Sequence, residues 1–82
     1  MVSLKELSPG ASCRIAGLST QGPMRRRLLE LGLVEGTKVT CLGRSPLGDP
    51  SAYLIRGAVI ALRARDCLGV LTEPEGGSTP WA

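Results

Sequence analysis

From Thr37 onward the chain never runs more than eight residues before a turn signal interrupts it: SPLGDP at 45–50, Arg56-Gly57, and ARD at 64–66. Segments this short do not hold helices of ordinary length, but they do hold strands. Their side-chain alternation agrees. Val39 and Cys41 share one side of TKVTCLGR, and Tyr53 and Ile55 share one side of SAYLIRG, with Leu54 and Arg56 on the other. Ile60 and Leu62 pair the same way in AVIALR. Arg56-Gly57 reads as a tight hairpin turn, ARD as one tight helical turn, and CLGVLTE as the last strand.

The first part of the chain reads differently. Leu4 and Leu7 in SLKELSPG are spaced as one helical turn would have them, and Pro9-Gly10 ends it, so this piece is expected to plug one end of the fold. ASCRIAGL is a short strand with Cys13 and Ile15 inward and Arg14 outward. GPMRRRLLELGLVEG carries the helix. Pro23 suits its first position. Met24, Leu28 and Leu31 form its apolar stripe, opposite Arg26 and Glu30. Gly32 stands where a left-handed residue ends a helix, and Leu33 can fold back on the last turn. The order is strand, helix, four strands: a mainly β protein, a small barrel or rolled sheet of about five strands with one helix after the first.

The 82 residues contain no Phe, one Tyr and one Trp, so Leu, Ile, Val, Ala and Cys must fill the core. That suits the narrow interior of a small barrel. One domain is expected over 1–73. A loose tail, PEGGSTPWA at 74–82, follows, with Trp81 either accidental or an anchor. The opening residues lack a leader-like apolar segment, and the longest apolar run, Ala58 to Leu62, is too short to cross a bilayer. With Cys13, Cys41 and Cys67 an odd, scattered set, the expectation is a cytoplasmic protein with three buried free thiols.

Chemistry is sparse. The chain has no His, so a Ser or Cys nucleophile lacks its usual base, and no pair of carboxylates is spaced for acid/base work. No catalytic residue, resident metal or cofactor is expected. The three Cys, read as lying on separate strands, have no ligand spacing. Proline-rich peptide recognition needs an aromatic-lined groove, which Tyr53 and Trp81 cannot line. The net charge of +3 permits an acidic partner. Arg14, Arg25, Arg26, Arg27, Arg44 and Arg56 could form a nucleic-acid patch, but stacking aromatics are missing. A nucleic-acid-binding barrel is therefore the alternative reading and a protein-binding module the leading one. Exposed edge strands also leave self-association open.

The turn SPLGDP fits a binding module. Two prolines restrict it, Gly48 can take positive φ, and Asp49 can bond its own backbone. Either Leu47 stands out as a rigid apolar tip, which loses little entropy on binding, or it folds onto Leu42 or Leu54 and seals the barrel end.

These pieces in this order, GPMRRRLLELGLVEGTKV, then PLGDP, IRG and ALRARD, resemble the FeoA family, from about Leu4 to Thr72. The match runs through Arg25, Arg26, Leu28, Leu29, Leu31, Gly32 and Leu33, then Pro46 to Pro50, then Arg56, Gly57, Leu62, Arg63 and Asp66. Cys67 departs from the small residue, such as Ala, expected there. The resemblance implies an SH3-like β-barrel with an inserted helix, like the C-terminal domain of iron-dependent repressors. It implies a non-enzymatic accessory protein of ferrous-iron uptake that binds the cytosolic side of the FeoB transporter and modulates it. A metal-responsive regulatory role like that of the repressors is a further alternative. The contact residues expected are Leu47, Asp49, Arg25, Arg26 and Leu33.

Overall fold

The computed structural model describes residues 2–74. Trp81 and the expected tail beyond Pro74 lie outside the described residues. The elements are β1 (Val2–Ser3), a 3₁₀ turn (Leu4–Glu6), β2 (Ser12–Leu18), α1 (Gly22–Glu30), β3 (Lys38–Arg44), β4 (Ser51–Ile55), β5 (Ala58–Leu62), α2 (Ala64–Cys67) and β6 (Val70–Pro74). The strands form one six-stranded antiparallel sheet in the order β1-β6-β2-β3-β4-β5.

The strands sit where the alternation puts them. Cys13, Ile15, Val39, Cys41, Tyr53, Ile55, Leu62 and Val70 all point into the core, and Leu4 and Leu7 of the opening turn join them. Three details differ from the sequence reading. The sheet has six strands because Val2 and Ser3 pair with Thr72 and Leu71. Thr72, a fully buried polar residue, is satisfied there, its hydroxyl donating to the Val2 carbonyl at 2.8 Å. Cys67 ends α2 and does not begin the last strand. Pro74, placed at the head of the tail, still pairs with Cys13.

Helix α1 ends through its backbone. The Gly32 N–H donates to the Leu29 carbonyl and the Leu33 N–H to the Leu28 carbonyl, both at 3.0 Å. This is a Schellman closure, and it needs Gly32 at φ +105°. A Cβ on Gly32 would lie 3.1 Å from Cγ2 of buried Ile55 and 3.0 Å from Cδ of Arg56. Gly32→Ala is therefore expected to cost about 2 kcal/mol, from left-handed strain and crowding together. Gly10→Ala, at φ +87° with nothing within 4 Å, carries only the strain. Urea unfolding of both variants separates the two contributions. Equal losses would show that Ile55 and Arg56 yield without cost.

The hairpin between β4 and β5 turns on Arg56 (φ +51°) and Gly57 (φ +82°). Two positive φ values make the primed turn whose twist matches the flanking strands.

Candidate protein-binding surface

The segment between β3 and β4 is held at three points. The Gly48 N–H donates to the Ser45 carbonyl at 2.8 Å, and the Ser45 N–H donates to the Pro50 carbonyl at 3.0 Å. Gly48 takes φ +86° and the Asp49–Pro50 peptide is cis. The third point reaches outside the turn. The Ala64 N–H, at the start of α2, donates to Asp49 Oδ1 at 2.8 Å. Asp49 thus binds not its own backbone but a helix end fifteen residues on, where a carboxylate satisfies an otherwise unpaired N–H.

Leu47 rides on this frame with 93% of its surface exposed. It does not fold onto Leu42 or Leu54, so the sealing alternative is overturned. Leu42 (47%) and Leu54 (37%) are themselves partly open to solvent.

The helix candidates divide. The half-buried Arg25 donates from Nη1 to the Leu18 carbonyl at 3.0 Å and so fastens α1 to the end of β2. Arg26 is exposed and lines a shallow depression with Gly22 and Pro23. Leu33, expected among the contact residues, is fully buried in the core. The closure that folds it back under α1 removes it from any surface a partner could reach.

Leu47 and the α1 arginines are held by different neighbours. The Leu47 turn closes the end of the β3–β4 hairpin away from Ile55 and Arg56, against which Gly32 ends α1. The exposed Leu47 tip and the α1 arginines are thus carried by separate elements of the fold.

Sequence reading did not single out the outer side of β3, β4 and β5. Leu54 pairs across to Val59, and Ala52 to Ala61. Val59 is 66% exposed. The clue was present in AVIAL: when every residue of a strand is apolar, the face turned from the core must expose apolar side chains.

Among the described residues, no three of His, Cys, Asp and Glu gather as a metal would need. No helix among them is long and apolar enough to cross a membrane. The three cysteines are free and buried, as expected. Cys67 Sγ donates to the Tyr53 hydroxyl at 3.8 Å. Burial pushes the Cys67 thiol up to about 11. Burial, and then the nearby Cys67, raise the Tyr53 phenol above its ordinary value. This pair favours its neutral form and has no character of an activated nucleophile.

The model of the FeoA domain family matches residues 2–74. The chain is 34% identical over 70 residues to a Fe(2+) transport protein A/Fe(2+) transporter FeoB fusion protein of Porphyromonas gingivalis, covering 85% of this chain and 8% of that one. It superposes on the solution structure of iron(II) transport protein A from Clostridium thermocellum with a TM-score of 0.87 and 33% identity, over 93% of this chain and 47% of the other. The zinc-complexed FeoA of Stenotrophomonas maltophilia, described as a prokaryotic SH3 domain protein, gives a TM-score of 0.80 at 26% identity, covering 89% and 91% of the two chains. The chain thus spans less than half of the first two proteins. The fold is the expected SH3-like, mainly β architecture, and with 2–74 matched end to end the chain belongs to the FeoA domain family.

Proposed function

We propose that this chain is a non-catalytic adaptor of ferrous-iron uptake that docks on the cytosolic side of a FeoB-type transporter and modulates it. The observation that carries this reading is Leu47, 93% exposed on a turn pinned by two backbone bonds and by Asp49. A rigid apolar tip of this kind suits an anchor residue filling a pocket on a partner. Arg26 on α1 is the second contact, and Arg25 and Asp49 position the elements that carry them. The Porphyromonas gingivalis relative supports the choice of partner, because there a similar domain and a FeoB transporter share one chain.

The test is capture of this protein by the isolated cytosolic part of the transporter, and by the full-length transporter in detergent, with wild type and Leu47→Asp. The mutant is expected to lose capture at least tenfold, about 1.4 kcal/mol or more of binding. Its folding stability should stay within about 0.5 kcal/mol, as for other exposed positions. Full capture by Leu47→Asp would remove Leu47 as the anchor. Absence of wild-type capture by either form would overturn the adaptor reading and bring the nucleic-acid alternative forward.

A further inference from the structure

Among the described residues β5 pairs only with β4, so its far side is a free edge. Edge strands are ordinarily blunted by shortness, charge, Pro or a bulge. The opposite edge, β1, is blunted in this way: it is two residues long. Strand β5 has none of these devices. Its five residues, Ala58 to Leu62, are all uncharged, and their pairing with β4 runs without a register shift.

The two-residue turn fixes which backbone groups are free. Ile55 and Ala58 close the turn as a hydrogen-bonded pair, so Tyr53–Ile60 and Ser51–Leu62 are bonded as well. The N–H and C=O groups of Val59 and Ala61 then point away from β4, along the open edge. The side chains of these residues lie on the outer face, beside Leu54 and Ala52.

Charge selects the occupant. The charged residues that flank β5 in sequence are both cations, Arg56 before it and Arg63 after it, and the nearby Asp49 is engaged by the Ala64 N–H. Arg56 and Arg63 stand at the two ends of β5 and both are exposed, with the aliphatic stem of Arg56 lying by Gly32. A second copy paired antiparallel about Ile60 would set Arg63 of each copy opposite Gly57 and next to Arg56 of the other. Like charges would then meet at both ends, which disfavours pairing.

We propose that β5 is a strand-addition site for an extended segment of the transporter partner, apolar at its centre and acidic at its flanks, which joins the sheet as a seventh strand. The main-chain bonds would form at Val59 and Ala61. The acidic flanks would meet Arg56 and Arg63. This inference rests on the adaptor reading for the identity of the partner.

The experiment is amide hydrogen exchange of the full chain, alone and with the cytosolic part of the transporter, alongside capture of Val59→Pro and Ala61→Glu. In the free protein the Val59 and Ala61 amides should exchange at least tenfold faster than those of Tyr53 and Ile60. With the transporter part they should become protected. Val59→Pro removes a donor that β4 does not use, so its fold should survive while capture falls at least tenfold. Ala61→Glu should weaken capture too, by setting a carboxylate against the apolar centre of the partner segment and close to its acidic flank. Wild-type capture with Val59 and Ala61 unprotected would overturn the strand-addition site and leave the adaptor reading standing. Absence of wild-type capture would overturn both. Protection that appears with rising protein concentration alone would assign the edge to a second copy. Protection in the dilute free protein would assign it to the chain's own residues. Either result overturns the proposal.

Discussion

Leu33→Ala is expected to lower the unfolding free energy by about 3–4 kcal/mol, within the range measured for Leu-to-Ala changes in well-packed cores. Leu33 is fully buried, and its position is fixed from the backbone by the 3.0 Å bond from its N–H to the Leu28 carbonyl. The segment therefore has little freedom to collapse into the space left by the lost methyl groups. A chain of 82 residues has a total stability on the order of 4–12 kcal/mol, so the change removes about a quarter or more of it. The melting temperature should fall by roughly 15–25 °C. Leu29→Ala, one turn earlier at 36% exposure, should cost under about 1 kcal/mol. Thermal and urea unfolding of the two variants checks the contrast. A loss below about 1 kcal/mol for Leu33→Ala would mean that the end of α1 is loosely packed and that Leu33 is not a core residue in solution.

Leu33 also shows where sequence reasoning stops. Its place in the LGL motif was legible, and so was the glycine that ends the helix, because both follow from local backbone rules. Whether the side chain after that glycine faces the core or a partner depends on the sheet beneath it, and no local pattern carries that information. The same division runs through the molecule. Strands β2 to β6 and the Arg56-Gly57 turn could be read because alternation and turn chemistry are local. Strand β1 could not: a two-residue strand has no period, and it exists only by pairing with Thr72 and Leu71, some seventy residues away. Helix α2 swallowed Cys67 because its four residues are too few to show a helical stripe, and part of its support comes from the distant Asp49. At the candidate site, turn chemistry predicted a stiff loop but could not place Leu47 relative to Leu42 and Leu54. Burial decided that. Which strand would be left at the edge was equally beyond reach, since it follows from the order of the whole sheet.

The stability of the folded chain should be flat from neutral pH to about 9 and should fall as pH rises from there through about 11, the value to which burial pushes the Cys67 thiol. The sign follows from linkage. A thiol whose folded-state pKa is raised stays neutral in the native protein while the unfolded chain releases its proton. Above the ordinary thiol value, each step in pH therefore favours unfolding, until the native thiol also ionises. Tyr53 acts in the same direction at still higher pH, since burial raises its phenol as well. The same burial suppresses reactivity. Near pH 8, a thiol with a pKa of about 11 holds on the order of a thousandth of its population as thiolate, against about a tenth for an ordinary one. Cys13, Cys41 and Cys67 are all fully buried, so a thiol reagent at pH 8 should find none of the three in the folded protein and all three in denaturant. Cys67→Ala tests the assignment, because it replaces the thiol with a small apolar group that does not ionise. The alkaline decline between about 9 and 11 should then be shallower, while the contribution of Tyr53 at still higher pH persists. An unchanged decline in Cys67→Ala would remove Cys67 as its cause, and rapid labelling of the folded chain would show that the barrel opens far more readily than its packing implies.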